Sequence, residues 1–207
     1  MRDGSELAAV VAGKVCHDMF EPLNAMVLNL DLLKSDPAEA GAQLEQSVKK
    51  LWAKLDFYRF AVATSHVEAD SELAEAREVL TKVFGHMRPQ LNWSAPPIAM
   101  PRPAVCVAAL LAVVSADCVP RGGVVDVGGA AGEVRIVATG TKALLRPEIS
   151  AAILGEFDAA ERRSTTILPM FAGVLARQAG LELRVREGEE RVEFIALSDR
   201  IALRAAA

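Results

Sequence analysis

The stretch "LLKSDPAEA", residues 32–40, interrupts what would otherwise be one long helix. Asp36 suits the N-cap of a new helix, and Pro37 suits its first position, where the missing N–H removes no hydrogen bond. Glu39 stands where the acidic residue of a capping box reaches back to the cap. The stretch therefore predicts a helix that ends near residue 34, a tight break, and a second helix, which together form an antiparallel hairpin.

Apolar residues recur at three- and four-residue spacings on both sides of this break, the pattern of amphipathic helices. In the first predicted helix, residues 5–34, the stripe is Val15, Met19, Met26, Leu30 and Leu33. In the second, which we expect to reach residue 66, it is Leu44, Val48, Leu51, Leu55 and Tyr58. Two helices cannot enclose a core, so we predict that two copies pair into a homodimeric four-helix bundle.

From about residue 70 the pattern becomes mixed. Predicted helices cover 72–91, 103–118, 147–155 and 165–179, the last ending at Gly180. Predicted strands are "VVDV" and "VRIVAT" around "GGAAG", and "LELRVRE" and "RVEFIAL" around "GEE", with an extended piece at "PPIAMPRP". Such short alternating runs around turn residues predict hairpins. The fold class is α+β, with a helical dimerisation domain at 1–68 and a small α/β sandwich at 69–207.

The bulk composition limits the partners. Of 207 residues, 52% are hydrophobic and 24% charged, with 23 basic and 27 acidic side chains. Without a basic cluster we expect no nucleic-acid partner. The cysteines Cys16, Cys106 and Cys118 form no CxxC pair, which favours a reducing compartment. The apolar run at 104–119 is short for a bilayer and contains Asp117, and no signal peptide is evident, so we expect a cytoplasmic protein without membrane contact.

The segment "KVCHDMFEPLNAM", residues 14–26, carries the candidate chemistry. At about 100° per residue, His17 lies opposite the apolar stripe of the first helix, on a polar face open to a docking protein. Asp18 could accept a hydrogen bond from one ring nitrogen and leave the other as a nucleophile. Pro22 cannot donate to the carbonyl of residue 18, so we expect the helix to bend there. An ordinary surface histidine is the alternative.

"HDMFEPL", His17 to Leu23, resembles the H-E/D-x-x-x-P-L signature of the dimerisation helices of sensor histidine kinases. The whole chain, including "CVPRGG" (118–123) after an apolar helix, resembles ChpT-type histidine phosphotransferases of bacterial phosphorelays. The resemblance implies that His17 is the phosphoacceptor and Asp18 its orienting acid, and that the second domain is like a kinase ATP-binding domain. It implies receiver domains of a hybrid kinase and of response regulators as partners. The residues beneath a docked receiver would be Lys14, Phe20, Glu21 and Asn24.

The sequence departs from the kinase pattern at the nucleotide site. The helix at 103–118 has no Asn to hold Mg²⁺, and "VRIVATGTKALLRPEIS" has one glycine and no Asp. "GGAAG" joins two strands and so lacks the helix N-terminus that cradles phosphate. We therefore expect phosphoryl transfer without ATP, with no cofactor or metal of its own and with Mg²⁺ supplied by the receiver. A kinase with an aberrant nucleotide site and a silent adaptor that only binds response regulators remain as alternatives.

Kinases often carry Thr or Asn four residues after the histidine, a position tied to phosphatase activity. Here it is Glu21, whose charge should repel a phosphoryl group. Of the other candidates, His66 is expected at the end of the second helix, His86 at the surface, and Cys16 as a small packing residue. Ser164 or Thr165 is expected to cap a helix. The scattered histidines and cysteines have no metal-site spacing.

Overall fold

The computed structural model describes residues 4–63, 65–66, 69–156 and 164–203. The helices are α1 (Gly4–Leu32), α2 (Pro37–Tyr58), α3 (Ala74–Phe84), α4 (Arg102–Ala116), α5 (Pro147–Leu154) and α6 (Ser164–Gln178). The strands are β1 (Asp70–Glu72), β2 (Gln90–Trp93), β3 (Ile98–Pro101), β4 (Val124–Ala130), β5 (Glu133–Thr139), β6 (Glu182–Gly188), β7 (Arg191–Leu197) and β8 (Ala202–Leu203). A π-helical turn, Arg59–Ala63, follows α2. The predicted domain boundary at residue 68 lies outside the described residues.

The hairpin forms where the "SDP" break predicts it. The Asp36 carboxylate accepts the N–H of Glu39 at 3.1 Å, so the predicted N-cap is confirmed. The capping box is wrong in its second half, because the Asp36 N–H donates to the Leu32 carbonyl at 2.9 Å while the Glu39 carboxylate accepts from Gln43. The second helix is also shorter than predicted, since α2 ends at Tyr58 and the chain continues as a π-helical turn, Arg59–Ala63.

The second domain is a two-layer α/β sandwich, so the α+β fold class is confirmed. Its main sheet has the order β2-β4-β5-β7-β6, with β2 parallel to β4 and the other pairs antiparallel. A small antiparallel sheet has the order β1-β3-β8. The inner face of the main sheet packs on α4 and α6 through buried side chains that alternate along the strands. They include Val125, Val127, Val134, Ile136, Val192 and Phe194.

The helix predicted over 72–91 is wrong at both ends. β1 replaces its start, α3 stops at Phe84, and β2 replaces its end by pairing in parallel with β4. Gly85 closes α3, and Pro89 keeps Arg88 out of a helix, since a proline disfavours helical backbone in the residue before it. The other predicted helices and both predicted hairpins are confirmed. β8 was not predicted because two residues carry too little pattern.

The contact of α5 with α6 depends on one glycine. A Cβ built on Gly173 would stand 2.1 Å from the carbonyl oxygen of Ile153, well inside any real contact. The helix backbones therefore approach as closely as they do only because residue 173 has no side chain. This contact fixes α6 beneath the sheet.

The hairpin leaves a second apolar stripe in solvent. The stripe comprises Phe20, Leu23, Val27 and Leu30 of α1 and Val48, Trp52 and Leu55 of α2, all more than 40% exposed. Of the stripe predicted for α1, Val15 and Met19 pack on the core, but Leu30 is 54% exposed. Among the described helices, none is long and apolar enough to cross a membrane.

Candidate functional site

His17 projects from α1 with its side chain 70% exposed. Its Nδ1 lies 3.2 Å from Oδ1 of Asp18. An ionised carboxylate can only accept a hydrogen bond, so this contact requires the ring proton on Nδ1. The lone pair then lies on Nε2, the nitrogen that Asp18 does not contact. The histidine is thus held in one tautomer with its nucleophilic atom accessible to a partner.

Asp18 is held from both sides. Its Oδ1 accepts the Lys14 ammonium at 2.7 Å, and its Oδ2 accepts the hydroxyl of Tyr58 from α2. Burial alone would raise the pKa of Asp18, but the hydrogen bonds from Lys14, Tyr58 and His17 outweigh it and lower that pKa. Asp18 is therefore a carboxylate at neutral pH, as the contact with His17 requires.

Pro22 leaves the Asp18 carbonyl oxygen without its helical donor. In the structure this oxygen accepts a hydrogen bond from Nζ of Lys54 at 3.1 Å. Helix α1 continues through Pro22 to Leu32, with the proline ring buried. The free carbonyl expected from the sequence thus has a partner from α2.

Glu21 lies one turn from His17 and is 62% exposed. Its two carboxylate oxygens accept Nζ of Lys50 at 2.6 Å and Nζ of Lys54 at 2.8 Å. These hydrogen bonds lower the pKa of Glu21 to about 2. Because two ammonium groups surround one carboxylate, this cluster is net positive, and the expected repulsion of a phosphoryl group loses its electrostatic basis.

The remaining predicted partner residues divide into two kinds. Lys14 is only 15% exposed and is engaged by Asp18, so its place is inside the site. Phe20, which is 61% exposed, and the exposed Asn24 flank His17 on the open surface of α1. The structure therefore brings His17, Asp18 and Lys14 together and leaves the other two available to a partner.

Sequence reasoning missed the contribution of α2. Lys50, Lys54 and Tyr58 follow one another at four-residue intervals, which places them on one face of the helix, and that face meets the His17 turn. This spacing was the available signal. The role of this face is not evident from the sequence, because Tyr58 also fits the apolar stripe of the second helix. The contacts also join residues that lie about 30 to 40 positions apart in the sequence.

A groove of about 1020 Å³ runs along the hairpin from Glu21. Its walls include Ala25 and Leu28 of α1 and Ser47 of α2, and His86 lies at the side of the second domain. Leu28 is 70% exposed in it. The groove and the His17 face form one continuous surface, since Glu21 belongs to both.

The other candidate residues lie away from this chemistry. His66 is in an exposed turn rather than at the end of α2, and Cys16 is exposed, not a packing residue as expected. Helix α6 begins at Ser164, so neither Ser164 nor Thr165 is its N-cap as predicted, and residues 161–163 lie outside the described part of the chain. Over the described ranges, no group of three or more His, Cys, Asp or Glu is arranged to hold a metal.

The second domain identifies the family. Residues 73–191, more than half of the chain, match the family described as "Histidine phosphotransferase C-terminal domain". The chain belongs to the histidine phosphotransferase family. Phosphoryl transfer in a phosphorelay is accordingly its activity.

Individual relatives agree with this assignment. The phosphotransferase is 25% identical to "Protein phosphotransferase ChpT" of Brucella abortus (strain 2308) over 198 residues, 92% of this chain and 95% of the relative. Its fold matches that of a solved bacterial phosphotransferase with a TM-score of 0.85 at 23% identity, over 95% of this chain and 98% of the other. The mycobacterial sensor histidine kinase MprB matches over 63% of this chain and 97% of its own at a TM-score of 0.47, a likeness that supports no further inference.

Proposed function

We propose that this phosphotransferase accepts a phosphoryl group on Nε2 of His17 from the aspartyl phosphate of one receiver domain and passes it to the aspartate of a response regulator. The observation that carries the proposal is the pairing of an exposed His17 ring with a partly buried, ionised Asp18 that fixes its Nδ1. An exposed surface histidine needs no such support. A relay nucleophile does, because its attacking nitrogen must carry a lone pair.

The proposed transfer is balanced at each step. The Nε2 lone pair of His17 attacks phosphorus, the P–N bond forms, and the P–O bond to the donor aspartate breaks to release its carboxylate. The proton on Nδ1 stays in its hydrogen bond to Asp18, which stabilises the positive charge of the phosphorylated ring. In the second step an aspartate oxygen attacks phosphorus and His17 leaves as a neutral imidazole.

The charge on the transferring group is met mainly by the partner in this proposal. The receiver supplies Mg²⁺ in its acidic pocket, and the metal neutralises the phosphoryl oxygens. This chain supplies a positioned nucleophile, and the net positive Glu21–Lys50–Lys54 cluster lies one turn away. Positioning and charge stabilisation are the two effects that phosphoryl transfer most needs.

We propose that the receiver docks on the open α1 surface around His17. Phe20 offers apolar contact there, Asn24 offers an amide, and the groove from Glu21 to Leu28 offers a continuation along the hairpin. Lys14 acts in this arrangement by holding Asp18 rather than by touching the partner.

We propose a homodimer through the exposed apolar stripe of the hairpin. Phe20 lies at the edge of this stripe nearest His17. Val27 of α1 and Trp52 of α2 are 61% and 62% exposed within it. A single hairpin cannot cover such a stripe, whereas a second copy buries it in a four-helix bundle, with Phe20 at the rim where it stays open to the receiver. His17 lies about 80° around α1 from Val27, so a dimer would leave it free.

We propose that ATP takes no part. Helix α4 occupies the place where a kinase would carry its Mg²⁺-binding Asn and has none, and its residues 104–112 are all buried in the core. The proposed location is the cytoplasm, where the receivers of phosphorelays are found.

The test is to incubate the protein with a ³²P-phosphorylated receiver and to follow label on both proteins. We expect label on the wild type and on His66→Ala, an exposed histidine outside the site, and none on His17→Ala. Replacing the receiver with ATP should give no label. Label on His17→Ala, or label from ATP alone, would contradict the proposal, and no label from any receiver would favour the silent adaptor.

A further inference from the structure

The geometry points to Tyr58 as a positioning residue for phosphoryl transfer, acting on His17 through Asp18. This inference rests on the proposed function of His17. Tyr58 is the last residue of α2, 40 residues from Asp18 in sequence, and its hydroxyl donates to Oδ2 of Asp18. No sequence motif indicates this role.

The two oxygens of Asp18 have separate tasks. Oδ1 serves Lys14 and the His17 ring, while Oδ2 serves Tyr58. A carboxylate bound through Oδ1 alone can rotate about its Cβ–Cγ bond, and such rotation would carry Oδ1 away from Nδ1. The hydrogen bond from Tyr58 opposes this rotation. It therefore helps to keep the His17 proton on Nδ1. Burial and the contact with Asp18 raise the pKa of Tyr58, so the phenol remains a donor at working pH.

Tyr58 is itself fixed by packing. It is 6% exposed, and its ring stands edge-on to that of Phe57 with centroids 5.5 Å apart. Two residues further on, the Phe60 carbonyl accepts from Sγ of Cys106 at 3.3 Å, and the guanidinium of Arg102 lies 4.0 Å from the Phe60 ring centroid. Helix α4 of the second domain therefore anchors the segment that carries Tyr58.

This arrangement gives the second domain a part in the chemistry. The contacts run from α4 to Phe60, along the π-helical turn to Tyr58, and from there to Asp18 and His17. π-helical turns commonly lie at functional sites, and this one contains Phe60 and directly follows Tyr58. The domain that needs no nucleotide in our proposal would thus orient the phosphoacceptor.

The test is a double-mutant cycle on the initial rate of label transfer from a phosphorylated receiver, with Tyr58→Phe, Asp18→Asn and the double variant. Tyr58→Phe removes only the hydroxyl, and we expect a roughly tenfold loss of rate, the size of one hydrogen bond to a charged group. In the Asp18→Asn background the same change should alter the rate by less than about twofold, since the two act as a unit. Phe194→Leu, a loss of aromatic packing in the main sheet where the side chain is 1% exposed, should lower stability and leave the rate near that of the wild type.

A second readout separates positioning from folding. In ¹⁵N-histidine spectra, the fraction of His17 with its proton on Nδ1 should fall in Tyr58→Phe and stay unchanged in Phe194→Leu. Tyr58 is the only tyrosine of the chain, so ¹³C-tyrosine labelling gives one hydroxyl-bearing carbon signal, which should shift in Asp18→Asn. An unchanged rate or tautomer in Tyr58→Phe, or equal losses in both backgrounds, would overturn the inference. Absence of transfer by the wild type would instead refute the proposed function.

Discussion

Nζ of Lys54 donates to the backbone carbonyl oxygen of Asp18 at 3.1 Å, and Pro22 is the reason that this oxygen is free to accept. A residue with an N–H at position 22 would close the usual helical bond to this carbonyl. The proline therefore does more than remove a hydrogen bond from α1. It leaves a carbonyl acceptor free at the turn of His17. Lys54 of α2, which also pairs with Glu21, donates to this acceptor.

We predict that Lys54→Met destabilises the fold by about 1 kcal/mol, the cost of leaving a partly buried carbonyl without its partner. The Pro22→Ala background should reduce this cost, because the restored N–H of residue 22 can bind the Asp18 carbonyl instead. Urea unfolding of the four variants measures the coupling.

Lys50→Met is the matched control for the lysine at residue 54. It removes a bond to Glu21 and leaves the Asp18 carbonyl untouched, so its effect should be the same with proline or alanine at position 22. Equal effects of Lys54→Met in both backgrounds would show that the bond to the carbonyl contributes nothing.

Glu21 predicts an acid-dependent contribution to stability. Its pKa falls from the ordinary value of 4.5 to about 2 in the folded protein. The unfolded chain therefore binds more protons between these values, and the contribution is present above about pH 4.5 and is lost as the pH falls towards 2. Because Glu21 is largely exposed, solvent screens the effect.

The stability difference between the wild type and Glu21→Gln, measured by urea unfolding at several pH values, should shrink across this window. Moderate salt should reduce it as well. A difference that does not change between pH 6 and pH 2.5 would mean that the lysines do not hold the ionised form of Glu21.

Trp52→Glu should convert the proposed homodimer into a monomer. The side chain is 62% exposed in the single chain, so a charge there costs little within the fold but would be buried against a second copy. Light scattering and sedimentation measure the mass, and circular dichroism confirms the helices. Lys49→Glu, an adjacent change of charge outside the stripe, should remain dimeric, and a monomeric wild type would exclude the bundle.

Two helical glycines should respond in opposite directions to alanine. At Gly13 nothing lies within 4 Å of an added Cβ, so Gly13→Ala should stabilise α1 by about 0.5–1 kcal/mol. At Gly173 the added Cβ meets the Ile153 carbonyl, and Gly173→Ala should destabilise the fold by about 1–3 kcal/mol. Thermal unfolding compares them, and a tolerated Gly173→Ala would show that α5 can shift away from α6.

The sequence predicts the hairpin well because its signals are local. Asp36 and Pro37 mark the start of α2 within a few residues, and the glycine-rich segment 128–132 marks the β4–β5 hairpin, although Gly128 and Gly129 pair within β4 and the turn itself is Ala131–Gly132. β2 could not be predicted in the same way. Its four residues become a strand only by pairing with β4, more than 30 residues away, and their local pattern continues that of α3.

The residues of the candidate site likewise divide into those with local sequence signals and those placed by long-range packing. His17, Asp18 and Pro22 lie within one and a half turns of helix, so their spacing alone places the acid beside the ring and frees a carbonyl. Tyr58 and Lys54 reach the site only through the packing of α2 on α1. Their four-residue spacing indicates a shared face, but not which residue of α1 that face meets.

The most direct test of the central claim is to transfer phosphate from a receiver to ¹⁵N-histidine-labelled protein and to record ³¹P and ¹⁵N spectra of the product. Coupling of phosphorus to nitrogen identifies the phosphorylated ring atom, and His17→Ala assigns the residue. We predict a single product, phosphorylated on Nε2 of His17, with the proton retained on Nδ1. Phosphate on Nδ1, or on His66 or His86, would contradict the role assigned to Asp18 and with it the account of the site.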